Sequence, residues 1–96
     1  MAYRLTEEAD ADLIRVFREG AYLFGLQQAE TYYLAIDERF EFLAANPRAA
    51  RERREIDPPV RVHPYKAHLI LYRIDGDDIL IVGIRHSRED WLPSDR

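Results

Sequence analysis

Apolar residues recur at three- and four-residue spacing through Ala9, Leu13, Val16, Phe17, Gly20 and Phe24, the period that lines one face of a helix. Thr6 stands in front of them as an N-cap, and Glu7, Glu8 and Asp10 fall where negative charge meets the positive end of a helix dipole. Gly25 supplies a break permissive of left-handed geometry. A second periodic run, Ala29, Tyr33, Ile36, Phe40, Leu43 and Ala44, stops at Asn46-Pro47, because proline disfavours helical geometry in the residue before it. Two helices closing into an antiparallel hairpin follow from these spacings.

The period then changes. Lys66 to Ile74 and Ile79 to His86 are β-rich runs bracketing Asp75-Gly76-Asp77-Asp78, whose Asp-Gly step marks a tight hairpin. Val60-Arg61-Val62-His63 reads as a short strand that Pro64-Tyr65 interrupts, and Ala2 to Leu5 as a first strand ahead of the helices. Residues 46–59 show no clean period and read as a loop with room for one helical turn. The expected order is β-α-α-β-β-β, an α+β fold with the helical hairpin packed on a twisted, mostly antiparallel sheet. Ninety-six residues make a single domain, 1–96, with one core and no deep cleft between lobes.

Closing the turn at Gly76-Asp77 pairs Ile74 with Ile79 and sorts the two strands into faces. One face carries Leu69, Leu71, Val82 and Ile84, an apolar set suited to lie under the helices. The other carries Lys66, His68, Ile70, Tyr72, Ile81, Gly83, Arg85 and Ser87. That mixed face either stands open to receive a partner, since contiguous exposed apolar area is otherwise a liability, or packs half-polar against a loop.

Composition narrows the function. With 47% hydrophobic and 33% charged residues the chain has the makeup of a soluble globular protein, and no apolar run approaches the ~20 residues of a membrane span. The start, Tyr3-Arg4-Leu5-Thr6-Glu7-Glu8, lacks a secretory pattern, and there is no cysteine, so a cytoplasmic location is expected. Net charge is −4, which argues against nucleic-acid binding through the overall field. The charge is uneven: Glu7, Glu8, Asp10, Asp12, Glu19, Glu30, Asp37, Glu38 and Glu41 face only Arg4, Arg15, Arg18 and Arg39 through Ala45. Any basic surface must come from the second half. There, Arg48, Arg51, Arg53 and Arg54 are interspersed with acids, as in a solvated loop. His63, His68 and His86 lack the spacing of a helical zinc motif and have no cysteine beside them, so neither metal nor cofactor is expected. Tyr22, Tyr32 and Tyr33 lie on helices, where packing is the ordinary role. Arg88, Glu89 and Asp90 form a local ion-pair cluster or a partner contact. Trp91 either caps the core or anchors a partner.

Taken in order, several segments resemble the ParE branch of the RelE/ParE bacterial toxins. They are Tyr3-Arg4-Leu5-Thr6 entering the first helix, Gly25-Leu26-Gln27-Gln28-Ala29-Glu30-Thr31-Tyr32 entering the second, and Leu43-Ala44-Ala45-Asn46-Pro47 closing it. Ile70-Leu71-Tyr72-Arg73-Ile74 in the hairpin and Ile84-Arg85-His86-Ser87-Arg88-Glu89-Asp90 at its end complete the set. The resemblance implies the toxin of a type II toxin–antitoxin pair, not itself an enzyme, that inhibits DNA gyrase and so replication. It also implies a neutralising ParD-like antitoxin, with a ribbon-helix-helix DNA-binding half and a C-terminal half that wraps the toxin into a hetero-oligomer. An antitoxin helix laying an apolar stripe on the open face would meet Lys66, His68, Ile70, Tyr72, Ile81 and Arg85. Arg85, Arg88 and Trp91 are the expected target contacts. Two departures are the acidic net charge, where such toxins are often basic, and Pro58-Pro59 and His63-Pro64 ahead of the hairpin. The sister RelE branch cleaves messenger RNA on the ribosome, which needs a base, cationic donors and an acid. Lys66, Tyr72, Arg73, Arg85, His86 and Arg88 are the candidates for that alternative, although the C-terminal tyrosine usual there is absent. An inactive member that retains only antitoxin binding is the third reading.

Overall fold

The computed structural model describes residues 2–88. Thr6 is the N-cap of α1 (Glu7–Phe24), its Oγ1 accepting from the Ala9 N–H at 3.0 Å. Gly25, at φ +93°, separates α1 from α2 (Leu26–Ala45) without letting either helix run on. The Asn46 side chain and backbone N–H both return to the Phe42 carbonyl, closing α2. Asn46 and Pro47 therefore end the helix where the sequence places the stop.

Five strands form one sheet in the order β1-β5-β4-β3-β2. They are β1 (Tyr3–Leu5), β2 (Glu52–Arg53), β3 (Val60–Tyr65), β4 (His68–Asp75) and β5 (Asp78–His86). The first strand runs parallel to β5, and the remaining pairings are antiparallel. The α+β architecture is the expected one, with one further strand: two residues of the supposed loop, Glu52 and Arg53, pair with Arg61 and Val60. The strand at 60–63 also extends through Pro64 and Tyr65, and the true turn lies at Lys66-Ala67, with Lys66 at φ +53°. Pro64 sits opposite Leu69 in a position whose N–H would point away from β4, towards an edge that β2 does not reach, so no ladder bond is lost.

The expected hairpin register holds at the turn, where Ile74 pairs with Ile79 and Asp75 with Asp78. A bulge then intervenes. Tyr72 is opposite Ile81 but Leu71 is opposite Gly83, so Val82 is the extra residue and everything after it on β5 changes face. Ile84 thereby joins Ile70, Tyr72 and Ile81. These four are fully buried in one cluster with Ala9, Leu13 and Val16 of α1 and Ile36, Phe40 and Leu43 of α2. The helices therefore cover the Ile70-Tyr72-Ile81 face, and the assignment of that face as open is corrected. Val60 and Leu71, which lie on the outer face by register, are buried too, outside this cluster.

The first strand is tied to α2 through Tyr3, whose ring lies 5.2 Å from Phe40 and whose hydroxyl donates to Asp37. Burial, then the Asp37 carboxylate, push the Tyr3 hydroxyl pKa well up. Tyr72 closes the opposite end. Its hydroxyl donates to the Pro47 carbonyl at 2.8 Å and accepts from the Ala50 N–H, pinning the segment after α2 to the sheet.

Candidate functional site

The apolar pattern of α1 does not stop where its buried stripe does. Tyr22, Leu23 and Phe24 end the helix and Leu26 begins the next, and these side chains are 89%, 65%, 64% and 59% exposed. Four large apolar residues at the tip of a helical hairpin, where polar residues are cheapest, mark a surface selected for something other than the core. The expectation that Tyr22 packs within the fold is corrected by its exposure. Beside this rim a groove of about 380 Å³ opens between the hairpin tip and the β3-β4 turn. Leu13, Val16, Phe17 and Ala29 give it an apolar floor, and Tyr32, His68, His86 and Lys66 a polar wall.

That wall is ordered by its own bonds. The Tyr32 hydroxyl lies 2.7 Å from His68 Nδ1, its ring stacks on Tyr65 at 6.1 Å, and the His68 and His86 rings meet edge to face at 5.4 Å. Burial, followed by the neighbouring Tyr65, raises the Tyr32 hydroxyl pKa, so it stays protonated and able to donate. The floor is fixed by Phe17, edge-on to Tyr33 at 6.1 Å. A helix or extended segment with an apolar stripe and a polar border has the complementary chemistry.

Of the residues expected on an open face, Lys66 and His68 do reach this groove, but by way of the β3-β4 turn. Ile70, Tyr72 and Ile81 are fully buried beneath the helices and present nothing to a partner. Arg85 is half-buried and its guanidinium is held by Asp12. The nuclease candidates do not converge: the Tyr72 hydroxyl is committed to Pro47 and Ala50, Arg73 is exposed on the outer face opposite Leu80, and Arg85 binds Asp12. Lys66 and His86 share the groove, while Arg88 is exposed with its N–H on His86 Nδ1. Trp91, Glu89 and Asp90 lie outside the described residues. Among the described residues no three histidine, aspartate or glutamate side chains come together as a metal cluster.

Sequence reasoning missed Phe17 and Phe24 as site residues by reading them as the periodic face of the first helix, and did not single out Leu23. The signal was present as apolar residues on too many sides of α1, with Ile14 beside Leu13 and the run Tyr22-Leu23-Phe24 crossing the buried stripe.

A five-stranded sheet under one helical hairpin, with an apolar groove beside the hairpin tip, defines a small α+β protein. The family model of the ParE toxin of type II toxin-antitoxin systems, parDE, matches residues 3–91, and the chain belongs to that family. It is 34% identical to Toxin ParE3 of Caulobacter vibrioides over 86% of this chain and 83% of that one. Identity to Toxin ParE1 of Mycobacterium tuberculosis is 32% over 92% and 91% of the two chains, and to Toxin ParE of Escherichia coli 32% over 95% and 89%. Among solved structures, a chain of the chromosomal ParDE TA system from P. aeruginosa superposes with a TM-score of 0.76 at 28% identity, covering 90% of this chain and 95% of that one.

Proposed function

We propose that this chain inhibits DNA gyrase by binding it in the cytoplasm, without chemistry of its own, and that a ParD-like antitoxin silences it by filling the groove at the hairpin tip. The observation that carries the antitoxin half is a groove of about 380 Å³ edged by the exposed Leu23 and Phe24, with the exposed Tyr22 and Leu26 next to them in the chain. A free surface of this kind is a solubility liability, and a toxin made together with its antitoxin needs to bear it only briefly. The occupant is a C-terminal antitoxin segment with an apolar stripe for Leu13, Val16 and Phe17 and a polar border facing Lys66 and Tyr32. Ordering such a segment costs free energy that the apolar contact offsets.

Action by binding is supported by the separation of Tyr72, Arg73 and Arg85 from the groove that Lys66 and His86 share. Proton transfer requires base and acid within hydrogen-bond reach of one reacting group, and Tyr72 and Arg85 are committed elsewhere. Of the two arginines expected to meet the target, Arg85 is held by Asp12 and Arg88 is exposed.

The test is a cleavage assay with purified gyrase and plasmid DNA. Adding the chain should raise the fraction of DNA trapped as gyrase-linked breaks, and prior mixing with the antitoxin encoded beside it should abolish the rise. Unchanged gyrase activity at saturating, folded chain would overturn the proposal. Cleavage of ribosome-bound messenger RNA by the same sample would put the ribonuclease in its place.

A further inference from the structure

The outer edge of the sheet is only half covered. The three residues of β1 pair with Ile79, Leu80 and Ile81, and the last backbone bond from that side is the Thr6 N–H to the Ile81 carbonyl at 3.0 Å. Beyond it β5 runs on to His86 with no strand beside it among the described residues. Ile84 is a non-hydrogen-bonded partner of Ile70 in the β4-β5 ladder, so its N–H and C=O both point outward at this edge. Such a pair of groups is a template for strand addition.

Both are taken by side chains. The Ile84 N–H donates to Asp12 Oδ2 at 3.1 Å, and Arg85 Nη1 donates to the Ile84 carbonyl at 3.3 Å and also to Asp12 Oδ2. Asp12, the one buried charged residue among the core positions of the described chain, is further held by Arg15 at 3.1 Å. Gly83 leaves room for the guanidinium, since a Cβ there would lie 3.0 Å from Arg85 Nη1 and press on it. A carboxylate accepting from an edge N–H, joined to a guanidinium donating to the carbonyl of the same residue, reproduces what a neighbouring strand would supply.

We infer that Asp12 and Arg85 are a guard on the outer edge of β5, and that this edge, once unguarded, pairs with the same edge of a second copy of the chain. The choice of occupant follows from the geometry. In an antiparallel ladder the residues of a hydrogen-bonded pair exchange both N–H to O=C bonds, so Ile84 can face Ile84 of another copy across a twofold axis. No other sequence needs to be matched. The guard also explains why Arg85 is not offered to a target.

The experiment is sedimentation velocity of Asp12→Ala from micromolar to hundreds of micromolar, with amide hydrogen exchange read at residues 83–86. Asp10→Ala, at an exposed position of the same helix, makes the same change in charge and is the control. The expected result is a monomeric wild type and control, with Asp12→Ala doubling in mass as concentration rises while the 83–86 amides gain protection in step. A folded Asp12→Ala that stays monomeric, or that associates without protection at 83–86, overturns the inference. Should Asp12→Ala fail to fold, Arg85→Ala decides. Because that change alone leaves the Ile84 N–H on Asp12, it is combined with Asp12→Ser, whose shorter side chain no longer reaches the edge, and the double variant must show the same doubling and protection or the inference fails.

Discussion

Tyr72 shows how one side chain can contradict a pattern and then explain it. Its aromatic ring and polar tip suit an exposed binding face, yet it is fully buried with its hydroxyl bridging Pro47 and Ala50. Removing that hydroxyl as Tyr72→Phe leaves the buried Ala50 N–H and the part-buried Pro47 carbonyl without their partner, a cost of about 1–3 kcal/mol. Thermal unfolding should show it as a fall in Tm of roughly 4–8 °C per kcal/mol for a chain of this size. Burial raises the pKa of Tyr72, as it does for Tyr3 and Tyr32, so the folded state keeps protons that the unfolded chain releases. Stability is therefore full below the ordinary tyrosine value of about 10 and is lost as pH rises beyond it. His63 has the opposite sign: burial first, and the Arg39 guanidinium second, hold its pKa below the usual histidine value. Its contribution is intact above about pH 6.5 and declines as pH falls from there through the lowered folded value, because the unfolded state then binds the extra proton. Denaturant titrations of wild type and His63→Gln at pH 7.5 and 5.0 should converge at acid pH; a constant difference would contradict the reading.

Among the elements, the helices were legible because their signals are local. The Thr6 hydroxyl on the Ala9 N–H, Gly25 at φ +93° and Asn46-Pro47 act through their immediate neighbours. Replacing Thr6 with alanine should cost about 1 kcal/mol, measurable in urea unfolding. The sheet was legible only as far as its turn. His68-Leu69-Ile70-Leu71-Tyr72 and Ile79-Leu80-Ile81-Val82 are apolar on both sides, so period-two alternation names no inner face. The Val82 bulge, which no composition announces, then transfers Ile84 to the Ile70 side. The two-residue strand β2 and the Lys66-Ala67 turn were hidden for a related reason, since pairing partners supplied by tertiary context decided them. Gly83 should resist enlargement: Gly83→Ala brings a methyl to 3.0 Å from Arg85 Nη1 and should loosen its hold on Asp12.

For the molecule as a whole, the candidate site was half legible. Lys66 and His68 were expected on a face that the helices cover, and they line instead a groove that the sequence analysis did not foresee. The rim was written in the chain as Tyr22-Leu23-Phe24 and Leu26, but a helical period cannot tell a buried stripe from one waiting for a partner. Leu23→Asp, at an exposed position, should leave Tm within about 2 °C while weakening antitoxin binding by about 30-fold or more, as loss of an apolar anchor does. Unchanged affinity by titration calorimetry would remove the groove from the antitoxin interface. With a net charge of −4 a general positive field is an inadequate driving force for the proposed engagement of gyrase on DNA, which would have to rest on specific contacts. The most direct test is pulse-labelled DNA and protein synthesis in the first minutes after the chain is induced in bacteria without an antitoxin. The account predicts that DNA synthesis falls first while protein synthesis continues; a prompt fall in protein synthesis with DNA synthesis intact would contradict it.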